Sequence, residues 1–341
     1  MRAAGLIFAL ALVAVMAVVP PLIGGYLVQA LTSYMISGLL ALAVGLITGY
    51  GRLFNLGVGA NFGVSAYTVA ILTHHGVTNP FVLVIAAILV GLLVALLFAF
   101  YALTAAGVEY LMLTFLTTLA FASIPLAALE LTGGDNGLTV AGGLQVSFGL
   151  SPLAGNGFYW FVLAIVVGCA GLSWFLLASQ AGKAIQAIGR NPARAAAMGY
   201  SVSHYRVALT LYSSVIASLG GWLYSLQRSF VFIDLLGLGN STNGLVYALV
   251  GGVDSILGPL LGAAVLRSLT DQLSRGTTQS SLYIGIVLML VVYFIPEGLV
   301  GLWRRVRARW RPARRGPATD LAPGSAEVAA AGLTAENVEA L

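Results

Sequence analysis

The side chains able to do chemistry in this chain are few, and their positions close off most of the possibilities. The only lysine, Lys183, sits in Ser179-Gln180-Ala181-Gly182-Lys183-Ala184. A phosphate-cradling loop needs a glycine earlier in the turn and a Ser or Thr directly after its lysine, and this segment has neither. Any nucleotide must be used by another chain. The carboxylates Glu109, Glu130 and Glu297 fall near the ends of long apolar runs, so no proton relay crosses such a run. His74-His75 and His204 have no further donors at metal-ligand spacing, and the single cysteine, Cys169, cannot pair within the chain. No catalytic, cofactor, metal or nucleic-acid site is legible.

Small polar groups are the remaining candidates. Asn55, Asn61 and Ser65 surround a glycine-rich break, and Thr114, Thr117 and Thr118 recur three and four apart, which puts them on one helix face. Each hydroxyl can bond its own helix's carbonyl four residues back or face something polar. Between Ser179 and Arg206, Asn191-Pro192 precedes an alanine-rich run that ends at Met198-Gly199. An N-cap, a proline at the first helical position and a glycine just past the end predict a short helix with definite limits. Its bulk is small and Arg190 and Arg194 flank it, so it suits either a groove in another protein or a lipid surface.

The elements that carry these groups follow from composition. The chain has 341 residues, 59% hydrophobic and 8% charged, which places it outside the soluble class. Eleven of its 16 basic and 11 acidic residues follow Trp303, leaving 16 for the first 303 positions, too few to clothe a soluble globule of that size. A crossing helix needs ~20 mostly apolar residues. Such runs lie near 3–23, 26–48, 56–73, 81–103, 109–131, 158–178, 207–227 and 282–302. The first is read as a retained span, since it continues apolar to Pro20-Pro21 without a clear small-x-small cleavage site. Residues 238–275 are too long for one crossing and are interrupted at Gly251-Gly252-Val253-Asp254-Ser255 and Gly258-Pro259. They form two short crossings turning near Asp254, or a re-entrant half-helix. The expected fold is all-α, a polytopic transmembrane bundle of about 8–10 spans with one or more broken or re-entrant helices.

With two crossings in that stretch, Arg2, Arg52, Lys183, Arg190, Arg194, Arg206 and the seven tail arginines share one face, and only Arg228, Arg267 and Arg275 lie opposite. The positive-inside rule makes the first face cytoplasmic. Glycines four apart at Gly45/Gly49, Gly59/Gly63 and Gly258/Gly262 let helix backbones approach closely. Residues 1–303 read as one transmembrane domain, and 304–341 as a tail, basic at first and then disordered, rich in Pro, Gly, Ala and Ser.

Five segments in order carry a resemblance. The loop through Ser179, Gly182, Lys183, Ala184, Ala187, Ile188, Asn191, Ala195, Ala196 and Gly199 is similar to the coupling loop of ABC-importer permeases of the branched-chain amino acid type. Gly49-Tyr50-Gly51-Arg52-Leu53-Phe54-Asn55-Leu56-Gly57 through Ser65-Ala66-Tyr67-Thr68, Thr132-Gly133-Gly134-Asp135-Asn136-Gly137-Leu138, Gly251-Gly252 to Gly262-Ala263, and Pro296-Glu297-Gly298-Leu299 resemble further motifs of that family. The chain departs from the pattern at Asn55, Ser65 and Asp254, and at Ala106-Gly107-Val108-Glu109-Tyr110-Leu111, where an arginine is lost and Glu109 stands in place of an aromatic. Glu109 can snorkel to water or line an exit path.

The resemblance implies a multi-pass subunit of the bacterial inner membrane with a cytoplasmic C-terminal tail. Its partners would be a second permease chain, two ATPase subunits, an outside solute-binding protein and membrane lipid. Gly182, Lys183, Arg190, Asn191, Arg194, Ala195, Ala196 and Gly199 are the candidate residues for coupling to the ATPases. Asn55, Asn61, Ser65, Glu109, Thr114, Thr117 and Thr118 are candidates for lining the solute path. The solute would be a branched-chain or similar amino acid, with urea and short amides as related alternatives. A self-sufficient secondary carrier is the rival class; it would need no ATPase genes alongside its own.

Overall fold

The structure is a computed structural model that describes residues 24–105, 107–140 and 156–276, with Met16, Gly285, Met289 and 298–301 as further positions. The expected spans near 3–23 and 282–302 lie outside the described residues apart from those positions, as does the tail. Helix α1, Gly25–Gly45, runs into a π-helical turn at Leu46–Tyr50. Then come α2 (Gly57–His74), α3 (Pro80–Thr104), α4 (Val108–Ala127) and the single turn α5 (Leu129–Thr132). After the strand β1 (Leu138–Thr139) follow α6 (Asn156–Ala178), α7 (Gln180–Arg190), α8 (Pro192–Ala197) and α9 (Val202–Arg228). Strand β2 (Phe230–Val231), α10 (Leu238–Gly251) and α11 (Leu257–Gly276) complete the described order.

Among the described residues, five helices are long and apolar enough to cross a membrane: Gly25–Tyr50, Pro80–Thr104, Val108–Ala127, Gly157–Ala178 and Val202–Arg228. Each sits on an expected run, and the fold is the anticipated polytopic helical bundle. Burial is inverted relative to a soluble helix. On α3, Ala87, Ala95, Ala99 and Ala102 face inward, while Ile85, Leu89, Leu93, Leu96 and Phe100 are exposed. Small residues inside and large apolar ones outside are what a helix packed in lipid requires, because packing rather than water exclusion joins its neighbours.

Helix α2 is enclosed by α3 and α9, and α9 also packs on α1. The close approaches are made where glycines recur. A Cβ at Gly63 would overlap the Leu235 carbonyl, and one at Gly262 the Tyr247 carbonyl, so bulk at these positions would force the helices apart.

The interrupted stretch is two helices, α10 and α11, joined by residues 252–256. Asp254 in that turn pairs with Arg52 at 3.3 Å, which fixes the turn on the Arg52 and Lys183 side. Fourteen residues make α10 only ~21 Å long, short of the ~30 Å hydrocarbon, and a 3₁₀ turn at Ile233–Leu235 precedes it. At the opposite face β1 pairs with β2 antiparallel, Leu138 opposite Val231, strapping the end of α4 to the end of α9. The resembling Thr-Gly-Gly segment builds this strap. Gly133, Gly134 and Gly137 all have positive φ, a region open to glycine at little cost, and Thr132 Oγ1 donates to Pro125 O at 2.7 Å.

One boundary differs from expectation. The final residues of the presumed loop, including His204 and Arg206, form the first turns of α9. Polar side chains there hide the helix from a hydropathy criterion, although Ser201 contacts His204 across the first turn.

Candidate functional site

Three polar regions stand out. The first is the α7–α8 surface. Ser179 caps α7, accepting from Gly182 N at 3.3 Å, and Gly182 lies against the Leu176–Leu177 backbone where a Cβ would clash. α7 turns Ala184, Ile185 and Ile188 inward and leaves Lys183 and Arg190 exposed. Asn191 Oδ1 accepts from Arg194 N at 3.0 Å, a cap worth ~1 kcal/mol, and Gly199 ends the turn at φ 86°. Of α8 only Ala195 is buried; Arg194, Ala196, Ala197 and Met198 face out. The helix is held by one small residue and offers the rest of its surface.

This surface connects inward. Gly189 abuts the Tyr50 carbonyl and the Arg52 side chain, with no room for a Cβ. Arg52 has φ 53°, which costs a non-glycine residue on the order of 1–3 kcal/mol. Its guanidinium meets Asp254, and Tyr50 Oη lies 3.4 Å from the Asp254 carbonyl. α7, the π-turn and the α10–α11 turn therefore form one contiguous strut.

The second region is a buried seam between α2 and α4. Asn55 Nδ2 donates to Tyr110 Oη at 2.8 Å and its Oδ1 accepts from Gly57 N at 2.7 Å. Thr114 Oγ1 accepts from Leu56 N at 3.3 Å, while Thr118 Oγ1 shares its proton between the carbonyls of Thr114 at 2.7 Å and Leu56 at 3.1 Å. Thr117 is only half-buried and turns toward α3, bonding Leu113 O and Tyr101 Oη. Ser65 Oγ donates to Ala87 O at 3.1 Å. Asn61 Nδ2 reaches Ser214 O at 3.4 Å while its Oδ1 has no partner among the described residues. Glu109 stands apart, exposed in the first turn of α4, where a carboxylate complements the helix dipole. The structure thus brings Asn55, Thr114 and Thr118 together, buries Asn61 and Ser65 on other faces of α2, and leaves Glu109 outside.

The third region, to which sequence reasoning assigned no role, is a basin of ≈ 540 Å³ in the half of the bundle away from Lys183. α1, α2, α9, α10 and α11 surround it, and its polar lining includes Gln227, Arg228, Asp234, Asn240, Asn243 and Arg267. Two of the three basic residues that break the charge bias are here, and that exception is the one signal the sequence carries of it. None of the seam residues lines it.

Together these features define a multi-span membrane protein with a polar interior recess and an outward-facing connecting helix. Its family is that described as branched-chain amino acid transport system / permease component, whose pattern matches residues 26–296, and the chain belongs to it. It is 26% identical over 328 residues to the high-affinity branched-chain amino acid transport system permease protein LivM of Salmonella typhimurium, covering 87% of this chain and 75% of the relative. The same protein of Escherichia coli gives the same identity and coverage.

Proposed function

We propose that this chain forms half of the translocation path of an ATP-driven importer in the bacterial inner membrane. A second permease chain supplies the other half, two ATPase subunits drive it, and a binding protein outside delivers branched-chain or similar amino acids. The α8 face carries this reading, since it is capped at both ends and exposed except at Ala195. Such a face matches a groove in a partner protein. Gly182, Lys183, Arg190, Asn191, Arg194, Ala196 and Gly199 present or shape it, and Ala195 anchors it. Motion imposed on α8 would pass through α7 and Gly189 to the Arg52–Asp254 pair and tilt α10 and α11. This is a rigid-body transmission of the kind that alternating access uses.

In this conformation the Asn55, Thr114 and Thr118 seam is closed by hydrogen bonds. These residues, with Asn61, Ser65 and Thr117, would border the path when α2 and α4 part, and Glu109 would stand at its cytoplasmic mouth. The tail from residue 304 lies on that same face in this reading.

Ala196→Glu tests the coupling role, because it puts bulk and charge on the exposed side of α8 without touching the bundle. ATP-driven uptake into proteoliposomes should fall, and the ATPase should no longer co-purify. Unchanged values for both would remove the role. Accumulation by vesicles that hold this polypeptide alone, without nucleotide, would overturn the importer reading altogether.

A further inference from the structure

The basin holds an imbalance that packing alone does not explain. Gln227 is 9% exposed, and its Nε2 donates to Gln29 O and to Ser33 Oγ, both at 2.9 Å. The backbone carbonyl can only accept, so the amide orientation is fixed. The Gln227 Oε1 is buried with no partner among the described residues, and so is Arg267 Nε. A buried acceptor and a buried donor left unmade among the residues lining one recess are each costly, yet they do not bond each other. Arg228 also lines the recess, as does the start of α10 from Gly237 to Asn240, where no side chain caps the free N–H groups. Asp234, exposed, is a further lining residue, and Asp271, one turn beyond Arg267, is engaged by Tyr34 Oη at 2.9 Å. Leu40 and Phe62 supply an apolar wall.

We infer that this basin is a solute site for a free α-amino acid, held as a zwitterion. The carboxylate takes Arg267, Arg228 and the N–H groups opening α10, where two cations and a helix N-terminus converge. The ammonium takes Gln227 Oε1 and Asp234, and an aliphatic side chain rests against Leu40 and Phe62. A zwitterion supplies at once the acceptor that Arg267 lacks and the donor that Gln227 lacks. A neutral amide or urea brings no full charge to either. The volume falls within the ~300–1,000 Å³ of small-molecule sites. Within the importer this is a station on the side where the binding protein delivers, so the inference rests on the proposed function and adds to it the site and the groups that hold the cargo.

The test uses the intact complex, with partner permease and ATPases, in nanodiscs without the binding protein. Saturation-transfer NMR measures binding of L-leucine, of 4-methylpentanoate, which lacks the ammonium, and of 3-methylbutylamine, which lacks the carboxylate. Leucine should bind tighter than either analogue. Arg267→Gln and Arg228→Gln should each weaken leucine about ten-fold or more, the factor carried by one charge-assisted hydrogen bond, with partial rescue by Arg267→Lys. Asp234→Asn should erase the preference for leucine over 4-methylpentanoate, and it decides the matter even where Arg267→Gln does not assemble. Equal binding of all three ligands to the wild type, or leucine affinity within about two-fold in every variant, overturns the site. ATP-driven leucine uptake by the wild-type complex with its binding protein is measured alongside. Uptake with unaltered affinities rejects the basin and leaves the importer standing; no uptake of any solute rejects both.

Discussion

Replacement of Asn55 separates a packing role for the seam from a purely path-lining one. Asn55 is 3% exposed and makes two hydrogen bonds, to Tyr110 Oη at 2.8 Å and from Gly57 N at 2.7 Å. An interhelical side-chain bond inside a membrane protein averages ~0.6 kcal/mol and reaches ~1.7. Stranding a buried donor such as the Gly57 N–H adds ~1–3 kcal/mol. Asn55→Ala should therefore destabilise by about 2–4 kcal/mol. Asn55→Ser keeps an oxygen for the Gly57 N–H as a Ser turn does, loses only Tyr110, and should cost about 1 kcal/mol. Tyr110→Phe should cost about the same, and the double variant Asn55→Ala/Tyr110→Phe should fall short of additivity by about 1 kcal/mol, because neither partner then strands the other. SDS titration of the purified chain in mixed micelles, followed by tryptophan fluorescence, measures these differences. The reasoning fails if Asn55→Ala unfolds within ~0.5 kcal/mol of wild type, or if the two changes simply add. A path-lining role without packing would instead alter uptake and leave unfolding where it was.

Two further perturbations probe the strut and the glycine contacts. The Arg52–Asp254 pair is solvent-exposed on both sides, so Arg52→Ala should move unfolding by less than ~1 kcal/mol yet lower the solute moved per ATP in proteoliposomes. The exchanged pair Arg52→Asp/Asp254→Arg should recover the ratio, and an unaltered ratio in Arg52→Ala would remove the strut from the mechanism. Gly63→Ala drives a methyl into the Leu235 carbonyl and should destabilise by ~1–3 kcal/mol. Gly168→Ala, with nothing within 4 Å of the added methyl, should instead stabilise by ~0.5–1 kcal/mol through helix propensity. Thermal unfolding of the two variants in one detergent reads the contrast, and equal shifts would deny that Gly63 is there for close approach.

Local and compositional features are legible in the amino-acid order itself. The limits of α8 depend on Asn191, Pro192 and Gly199 acting within one turn of themselves, so a few residues suffice to define that helix. The spans follow from the mean hydropathy of ~20 residues, and the interruption between α10 and α11 from glycines and Pro259, whose backbone effects are also local. The start of α9 escapes such a reading because a hydropathy window cannot see a helix whose first turns, through His204 and Arg206, are polar. Among the threonines, spacing puts Thr114, Thr117 and Thr118 on one face, but which of them meets α2 and which meets α3 depends on how α4 is rotated in the bundle. The basin is beyond reach for the same reason. Its groups come from Ser33 to Arg267, on five helices and a loop, and apart from the charges of Arg228 and Arg267 each looks ordinary in its own segment. Chain order and hydropathy determine which stretches become long apolar helices; convergence of charged and polar groups is a property of helix rotation and packing, which long-range contacts such as Gly63 on Leu235 and Arg52 on Asp254 decide.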